Sequence, residues 1–100
     1  MVIISKRVIN EFCQKHTDAT KALQQWYKTV SKANWNSFAD LKKEFGSTDF
    51  VGENRYVFNI KGNHYRIVAL VFFSVRTVYI KFIGTHEDYN RIDVRTIDIK

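Results

Sequence analysis

The hydrophobic positions of this chain change their spacing near residue 55. Before that point they recur every three or four residues, as on the buried face of an amphipathic helix. The longest stripe follows Thr17-Asp18, a pair that favours a helix N-cap. Shorter helices are predicted after Ser5 and from Ser37 to a stop at Gly46. The apolar stripe of the long helix consists of Ala19, Ala22, Leu23, Trp26, Tyr27, Val30 and Ala33.

In the second half, apolar and polar residues alternate one by one, which is typical of half-buried strands. Three strands follow a connecting loop at residues 46–54, and they span residues 55–61, 64–73 and 78–83. Gly62-Asn63 is a tight-turn signal between the first two strands, residues 74–77 turn the chain again, and Gly84 is expected to end the third strand before a loop or one helical turn. Val2–Ile4 is a further short strand. The pattern predicts a single α+β domain over residues 1–100, a small antiparallel sheet with the N-terminal helices packed on one face.

The first turn also predicts which side chains share a face of the sheet. With this turn at the tip of a hairpin, Asn59 lies opposite Arg66, and directly opposed residues point to the same side. With the second turn as predicted, Leu70 pairs with Lys81. The resulting polar face carries Asn59, Lys61, His64, Arg66, Tyr79 and Lys81. The opposite face, which should receive the helices, carries Phe58, Ile60, Tyr65, Ile67, Val71, Val78, Ile80 and Phe82.

Charge indicates the kind of partner. The formal net charge is +6 on 100 residues, and the pI is near 9.6. From residue 54 to residue 86 the chain contains no Asp or Glu. Such a one-signed stretch favours a polyanionic partner, although a basic sheet face that only keeps the protein soluble would have the same composition.

Composition excludes several classes of protein. A 45% share of hydrophobic residues excludes general disorder. The lone cysteine, Cys13, excludes an internal disulfide framework and indicates a reducing, cytoplasmic environment. The longest apolar run, residues 67–73, is too short to span a membrane, and the apolar N-terminal residues are too few for a signal peptide. The His and Cys positions lack zinc-site spacing and no glycine-rich phosphate loop is present, so neither a metal nor a small-molecule cofactor is expected.

Cleavage of RNA is one chemistry that these residue types can perform. RNA carries its own nucleophile, the 2′-hydroxyl, so an enzyme must supply a base, an acid and positive charge for the phosphorane. Lysine and arginine on the polar face supply charge, while His86 and Tyr89, after Gly84, could transfer protons or stack on a base. The same two residues could equally be a turn cap and a packed aromatic.

Three segments resemble one family of bacterial proteins. The segments are VFNIKGNHYR at residues 57–66, VYIKFIGTH at 78–86 and EDYN at 87–90, and the runs ANW at 33–35 and FADLK at 38–42 fit as well. They resemble the HigB-type toxins of toxin–antitoxin pairs, which belong to the RelE/ParE-like superfamily. One departure is visible, because similar toxins often have aspartate where this chain has Asn90, which leaves a carboxylate partner at this position in doubt.

The resemblance implies a ribosome-dependent mRNA interferase with a RelE-like, microbial-ribonuclease-like fold and a cognate antitoxin, a HigA-like helix-turn-helix protein. By position, the scissile phosphate would be contacted by Lys61, Arg66 and Lys81. The acid and base would be His86 and Tyr89, in either order. The RNA would be positioned or bound by Asn59, Asn63, His64 and Tyr79.

Two other functions remain open. A toxin of the same fold could bind a protein target without catalysis, although such a toxin would not need Lys61, Arg66, Lys81, His86 and Tyr89 to converge. A plain RNA-binding domain would bind through a basic sheet with an exposed Tyr79, and its affinity would fall steeply with salt.

Overall fold

A layer of helices covers one face of a sheet. The computed structural model of the protein describes residues 1–62 and 64–92, and within them the sheet has five strands. The helices are α1 (Lys6–Lys15), α2 (Thr20–Lys32), α3 (Phe38–Glu44) and α4 (His86–Asn90), with a 3₁₀ turn at Thr17–Ala19 before α2. The strands are β1 (Val2–Ile4), β2 (Asp49–Phe50), β3 (Arg55–Ile60), β4 (Tyr65–Phe72) and β5 (Thr77–Thr85). The α+β fold class predicted from the sequence is confirmed.

The sheet has the strand order β1-β5-β4-β3-β2. Strands β3, β4 and β5 form the predicted antiparallel meander, with β4 at its centre. However, β1 pairs with β5 in parallel, with Val2 opposite Thr77, so the sheet is mixed and not wholly antiparallel. The predicted loop at residues 46–54 also contains β2, which pairs with Val57 and Tyr56. A two-residue strand is too short to show an alternating pattern.

The apolar stripes correctly predicted which helix faces pack against the sheet. In α2 the fully buried residues are Leu23, Trp26 and Val30, and the Trp26 ring meets Phe58 of β3 edge-on at 5.3 Å.

The predicted cap residue Ser5 does precede α1, but it has a positive φ of 79° and its side chain makes no capping hydrogen bond. In the described part of the chain, every helix falls short of the length and apolar character required to cross a membrane.

The register of the first hairpin is confirmed, with Asn59 opposite Arg66, but that of the second hairpin is wrong. Its turn occupies residues 73–76, so Leu70 pairs with Tyr79 and not with Lys81. A β-bulge then changes the register between Val68 and Ala69. Because a bulge inserts one extra residue into one strand, every later residue of that strand changes face.

The bulge corrects the predicted position of Phe82. Ala69 pairs with Ile80 but Val68 pairs with Phe82, so Lys81 is the extra residue. Since Val68 points away from the helices, Phe82 lies on that side too. Ile83 takes the core position that was expected of Phe82. The prediction that Phe82 packs against the helices is therefore wrong.

The sheet face away from the helices is also less polar than predicted. Its centre is apolar, because Val57 and Val68, which oppose each other across β3 and β4, are only 3% and 0% exposed. Charged residues lie at the two ends of this face, Arg55 at one and Arg66 at the other. Only the end with Arg66 adjoins α4, so the candidate chemistry is confined to that end.

Candidate active site

The candidate site lies where β4 begins and β5 ends. Arg66, the second residue of β4, pairs with Gly84 near the end of β5. Strand β5 runs through Gly84 to Thr85, so the expectation that Gly84 breaks the strand is wrong. Helix α4 starts at the next residue, and the backbone N–H of His86 donates to the carbonyl of His64 at 3.1 Å. This bond ties the start of α4 to the first hairpin.

A capping box sets the direction of α4. The Thr85 hydroxyl accepts a hydrogen bond from the Asp88 backbone N–H at 3.0 Å, and the Asp88 carboxylate accepts one from the Thr85 backbone N–H at 3.2 Å. These two bonds satisfy N–H groups that the start of a helix otherwise leaves unpaired. They hold a helix of five residues that would not be stable by itself. The side chains of α4 therefore have a defined position over the end of the sheet.

Arg66 and Tyr89 form the centre of the site. The guanidinium carbon of Arg66 lies 4.6 Å from the centroid of the Tyr89 ring, a cation–π contact. The Arg66 Nε is buried and has no hydrogen-bond partner among the described residues. Within the same residues no carboxylate pairs with Arg66. A guanidinium held by an aromatic ring without a counter-ion can bind an anion such as phosphate.

His86 lies one helical turn before Asn90 in α4. Its Nδ1 is 3.2 Å from the Asn90 side-chain nitrogen, and the imidazole is exposed. Tyr89, between them in sequence, is half-buried against Arg66. The structure therefore brings three of the predicted catalytic residues, Arg66, His86 and Tyr89, to one end of the sheet.

Lys61 does not join this group. It has a left-handed backbone conformation (φ 54°) in the first turn, and its ammonium donates to the Asp18 carboxylate at 3.1 Å. Asp18 belongs to the 3₁₀ turn of the helical layer. The prediction that Lys61 shares a face with Arg66 is therefore wrong, because the left-handed turn redirects the side chain after the regular strand has ended.

Asp18 also accepts a hydrogen bond from the Tyr65 hydroxyl at 2.6 Å. The bonds from Tyr65 and Lys61 lower the pKa of Asp18 below its ordinary value, since both stabilise the carboxylate. The same hydrogen bond raises the pKa of Tyr65, because ionisation would remove the proton that Asp18 accepts. The cluster is a structural link between the first hairpin and the helical layer.

The other predicted site residues are dispersed. Asn59 donates to the Ser47 carbonyl at 3.4 Å, and the Nδ1 of His64 lies 3.0 Å from the carbonyl oxygen of Lys61. Tyr79 is 39% exposed but lies four β4 positions from Arg66 through its partner Leu70, about 13 Å along the strand. Lys81 is half-buried at the bulge. Asn63 lies outside the described residues.

Sequence reasoning missed three residues that build the site, Thr85, Asp88 and Asn90, and one structural contact outside it, that of Asp18. Thr85 and Asp88 have the three-residue spacing of a capping box, which a search for helix starts could have found. Asn90 was noted only as a departure from similar toxins. Asp18 was expected to cap a helix, but it lies inside the 3₁₀ turn Thr17–Ala19, and its carboxylate accepts from Lys61 and Tyr65. No local signal connects it with Tyr65, which is 47 residues away in sequence.

Comparison with known proteins identifies the family. A family model described as the HigB toxin, the RelE-like toxic component of a toxin-antitoxin system, matches residues 19–92. The chain is 30% identical over 92 residues to the mRNA interferase toxin HigB of Escherichia coli and to the mRNA interferase HigB of Shigella flexneri, covering 90% of this chain and 88% of each relative. A HigB of another Escherichia coli strain is 27% identical over 94 residues, covering 92% of this chain and 91% of that protein. The resemblance seen in the sequence is therefore confirmed: the chain belongs to the HigB toxin family, the RelE-like toxic components of toxin-antitoxin systems, and this implies a partner antitoxin.

Proposed function

We propose that the protein is an endoribonuclease, an mRNA interferase that arrests growth by cutting translated messages in the cytoplasm. The observation that carries the proposal is the Arg66 guanidinium, held without a carboxylate partner among the described residues on the ring of Tyr89, which belongs to the same short helix as His86. The relatives named mRNA interferases support the same reaction.

The proposed reaction is transfer of the scissile phosphate to the 2′-oxygen of the preceding nucleotide. A base removes the 2′-hydroxyl proton, the 2′-oxygen forms a bond to phosphorus, and the bond from phosphorus to the 5′-oxygen breaks. An acid gives a proton to that leaving oxygen, so the products are a 2′,3′-cyclic phosphate and a 5′-hydroxyl. Negative charge increases on the phosphate oxygens on the way, and Arg66 is placed to stabilise it.

His86 and Tyr89 are the proposed proton-transfer groups. Both belong to α4, whose capping box and contact with Arg66 hold it over the end of the sheet. An imidazole can act as either acid or base near neutral pH. The Tyr89 ring supports the Arg66 guanidinium, so Tyr89 has a positioning role in this mechanism even where His86 moves the proton.

The two lysines of the proposed site lie in different surroundings. Lys81 lies at the bulge on the strand that leads to α4, and we propose that it adds positive charge near the phosphate. Lys61 contacts Asp18, but the two side chains are 42% and 58% exposed. Because water screens an exposed ion pair, a phosphate can compete with Asp18 for the Lys61 ammonium. Asn59, Asn63, His64 and Tyr79 remain proposed RNA-binding residues.

The test is induced expression with primer extension on a translated reporter mRNA. The wild type should arrest growth and produce new mRNA 5′ ends. Arg66→Gln should lower cleavage by roughly 100- to 1,000-fold, the usual effect of losing one group that stabilises transition-state charge. Arg76→Gln, which changes a cation at the opposite end of β5, is the matched control and should cut like the wild type.

Growth arrest without new 5′ ends would contradict the proposal and favour a toxin that binds a protein target. RNA binding without arrest or cleavage would favour a plain RNA-binding domain. Two finer parts of the proposal need their own measurements. Cleavage with and without ribosomes tests ribosome dependence, and co-purification with the product of a neighbouring gene tests for a HigA-like helix-turn-helix antitoxin.

A further inference from the structure

A groove lies between α2 and the open edge of β3. It consists of two adjoining cavities of about 400 and 210 Å³, whose walls share Ala22, Gln25 and Lys61. Strand β2 pairs with only two residues of β3, so among the described residues the part of this edge nearest the first turn has no neighbouring strand. Asn59 belongs to the wall of the smaller cavity and is the register partner of Arg66. The groove therefore begins beside the end of the sheet that carries the candidate active site.

A row of lysines on α2 leads into this groove. Residues 19–39 contain no Asp or Glu, and Lys21, Lys28 and Lys32 are all exposed. Their spacing of seven and four residues places them along one side of the helix. In the part of the chain that the structure describes, none of the three pairs with a carboxylate. Lys21 also forms part of the wall of the larger cavity, together with Lys61, so the lysine row continues into the groove.

The groove itself is positively charged. Its larger cavity contains one carboxylate among the described wall residues, that of Asp18, which already accepts hydrogen bonds from Lys61 and from one tyrosine. Since Lys21 and Lys61 border the same cavity, the positive charges outnumber the negative one. Gln25 and Asn59 add side-chain amides, which can donate to phosphate oxygens and to the edges of unpaired bases. Ammonium groups beside a groove are typical of proteins that hold single-stranded nucleic acid.

We propose that this groove binds a segment of single-stranded RNA adjacent to the segment that is cut, with its phosphates on the lysine row of α2. This inference rests on the proposed ribonuclease function and extends its substrate contacts. A strand that leaves Arg66 passes Asn59, its partner across the hairpin, and enters the groove at the open edge of β3. Lys61 and Asn59, which do not join the cluster of Arg66, His86 and Tyr89, thus contact RNA in the groove.

The first experiment measures binding of a nine-nucleotide 2′-O-methyl RNA to the intact chain by fluorescence anisotropy. This strand has no free 2′-hydroxyl, so it cannot be cut and its binding is measured separately from cleavage. Lys21→Gln/Lys28→Gln should weaken binding roughly 3- to 10-fold and reduce the slope of log affinity against log salt by about 0.7 for each lysine. The control Lys43→Gln/Arg76→Gln removes the same charge from residues that line neither cavity. It should bind within about twofold of the wild type, because salt screens charges that do not touch the strand.

The second experiment follows the two indole N–H signals by NMR as the same RNA is added. Trp26 forms part of the wall of the smaller cavity, and its Nε1 is buried without a hydrogen-bond partner among the described residues. Its signal should therefore shift as the groove fills. Trp35 is the internal control, because its Nε1 already donates to the Glu44 carboxylate at 3.0 Å, and its signal should shift less. Hexaglutamate, added in the same way, tests whether an acidic protein segment occupies the groove.

Three results would overturn the inference. One is a Trp26 signal that does not shift when the RNA is saturating. Another is a Lys21→Gln/Lys28→Gln protein that binds the strand as tightly as its control. The third is a Trp26 shift with hexaglutamate and none with RNA, which would assign the groove to an acidic protein partner. If the wild type cuts no translated mRNA, the proposed function fails, and binding of the uncleavable strand still decides whether the groove holds RNA.

Discussion

Gly84 tests how closely the end of the sheet is packed. It is buried in β5 opposite Arg66. A β-carbon at this position would lie 2.4 Å from Cζ and 2.9 Å from Cε2 of Phe82, and 3.0 Å from Cβ of Asp88. Carbon atoms in contact normally lie about 3.5–4.0 Å apart. In Gly84→Ala the Phe82 ring must therefore move by about 1 Å or more, and the adjacent turn of α4 must yield a few tenths of an ångström.

The expected cost follows from these distances. Overpacking of this kind costs about 1–3 kcal/mol. Replacing glycine by alanine also reduces the entropy of the unfolded chain, which offsets about 0.4–1 kcal/mol. With the midpoints of these two ranges, the net destabilisation is about 1.3 kcal/mol, which lowers the melting temperature by roughly 5–10 °C in a domain of this size.

Urea unfolding of Gly84→Ala and Gly46→Ala measures the effect. Gly46 is the control, because the nearest atom to an added β-carbon there is the Lys42 carbonyl oxygen at 3.9 Å. Gly46→Ala should be neutral or slightly stabilising. In a Phe82→Leu protein, which lacks the ring, Gly84→Ala should reduce the free energy of unfolding by less than it does in the wild type. A Gly84→Ala protein as stable as the wild type would refute the reasoning, and an equal cost with and without the Phe82 ring would show that the ring is not the obstacle.

Three further predictions concern stability. Asp18→Asn should lower the free energy of unfolding between about pH 4 and pH 10. The lowered pKa of Asp18 contributes stability above its unfolded value of about 3.9, and this stability is lost when the carboxylate is protonated. The difference in stability between wild type and variant should therefore narrow below pH 4. The difference should also narrow above pH 10, because the raised pKa of Tyr65 contributes stability that is fully present below its unfolded value of about 10 and is lost as the pH rises through the higher folded value. Leu23→Ala, at a side chain with no exposed surface, should cost about 2–5 kcal/mol by urea unfolding. Thr85→Ala removes the hydroxyl that accepts from the Asp88 N–H, and it should cost about 1 kcal/mol and lower mRNA cleavage.

Each of these predictions has an outcome that contradicts it. An Asp18→Asn protein whose stability follows pH in parallel with the wild type would mean that the contacts of the carboxylate do not matter. Gln24→Ala, beside Leu23 on the exposed side of α2, is the surface control and should change stability by less than about 0.5 kcal/mol. Unchanged cleavage in Thr85→Ala would show that α4 keeps its position without the cap.

The family and the helical layer could be predicted from the sequence alone. The spacing of Leu23, Trp26 and Val30 placed one face of α2 in the core, and all three are buried there. A helix repeats every 3.6 residues over several turns, so many residues define its apolar face. One wrongly assigned residue therefore does not change which face is predicted to be buried. The turn signal at Gly62 likewise determined the register of β3 against β4, since a tight hairpin allows few alternatives.

The candidate site was only partly predictable. Arg66, His86 and Tyr89 were selected by residue type and by resemblance, and the structure brings them together. Lys61 was selected in the same way, but its ammonium contacts Asp18 in the helical layer. The residue type of a lysine shows that it can stabilise a phosphate, while the direction of a long flexible side chain depends on which carboxylate the fold brings near it.

The positions of Phe82, Lys81 and Asp18 were decided by tertiary structure. The bulge puts Phe82 on the face away from the helices and makes Lys81 the extra residue. Because residues 78–83 include large apolar residues on both sides of the strand, alternation along the chain cannot show where one residue is inserted. The bond from Tyr65 to Asp18 joins residues 47 apart in sequence. Periodicity and turn chemistry act over a few residues, so the sequence by itself determined the elements and the family, whereas contacts across the folded chain decided which side chains meet.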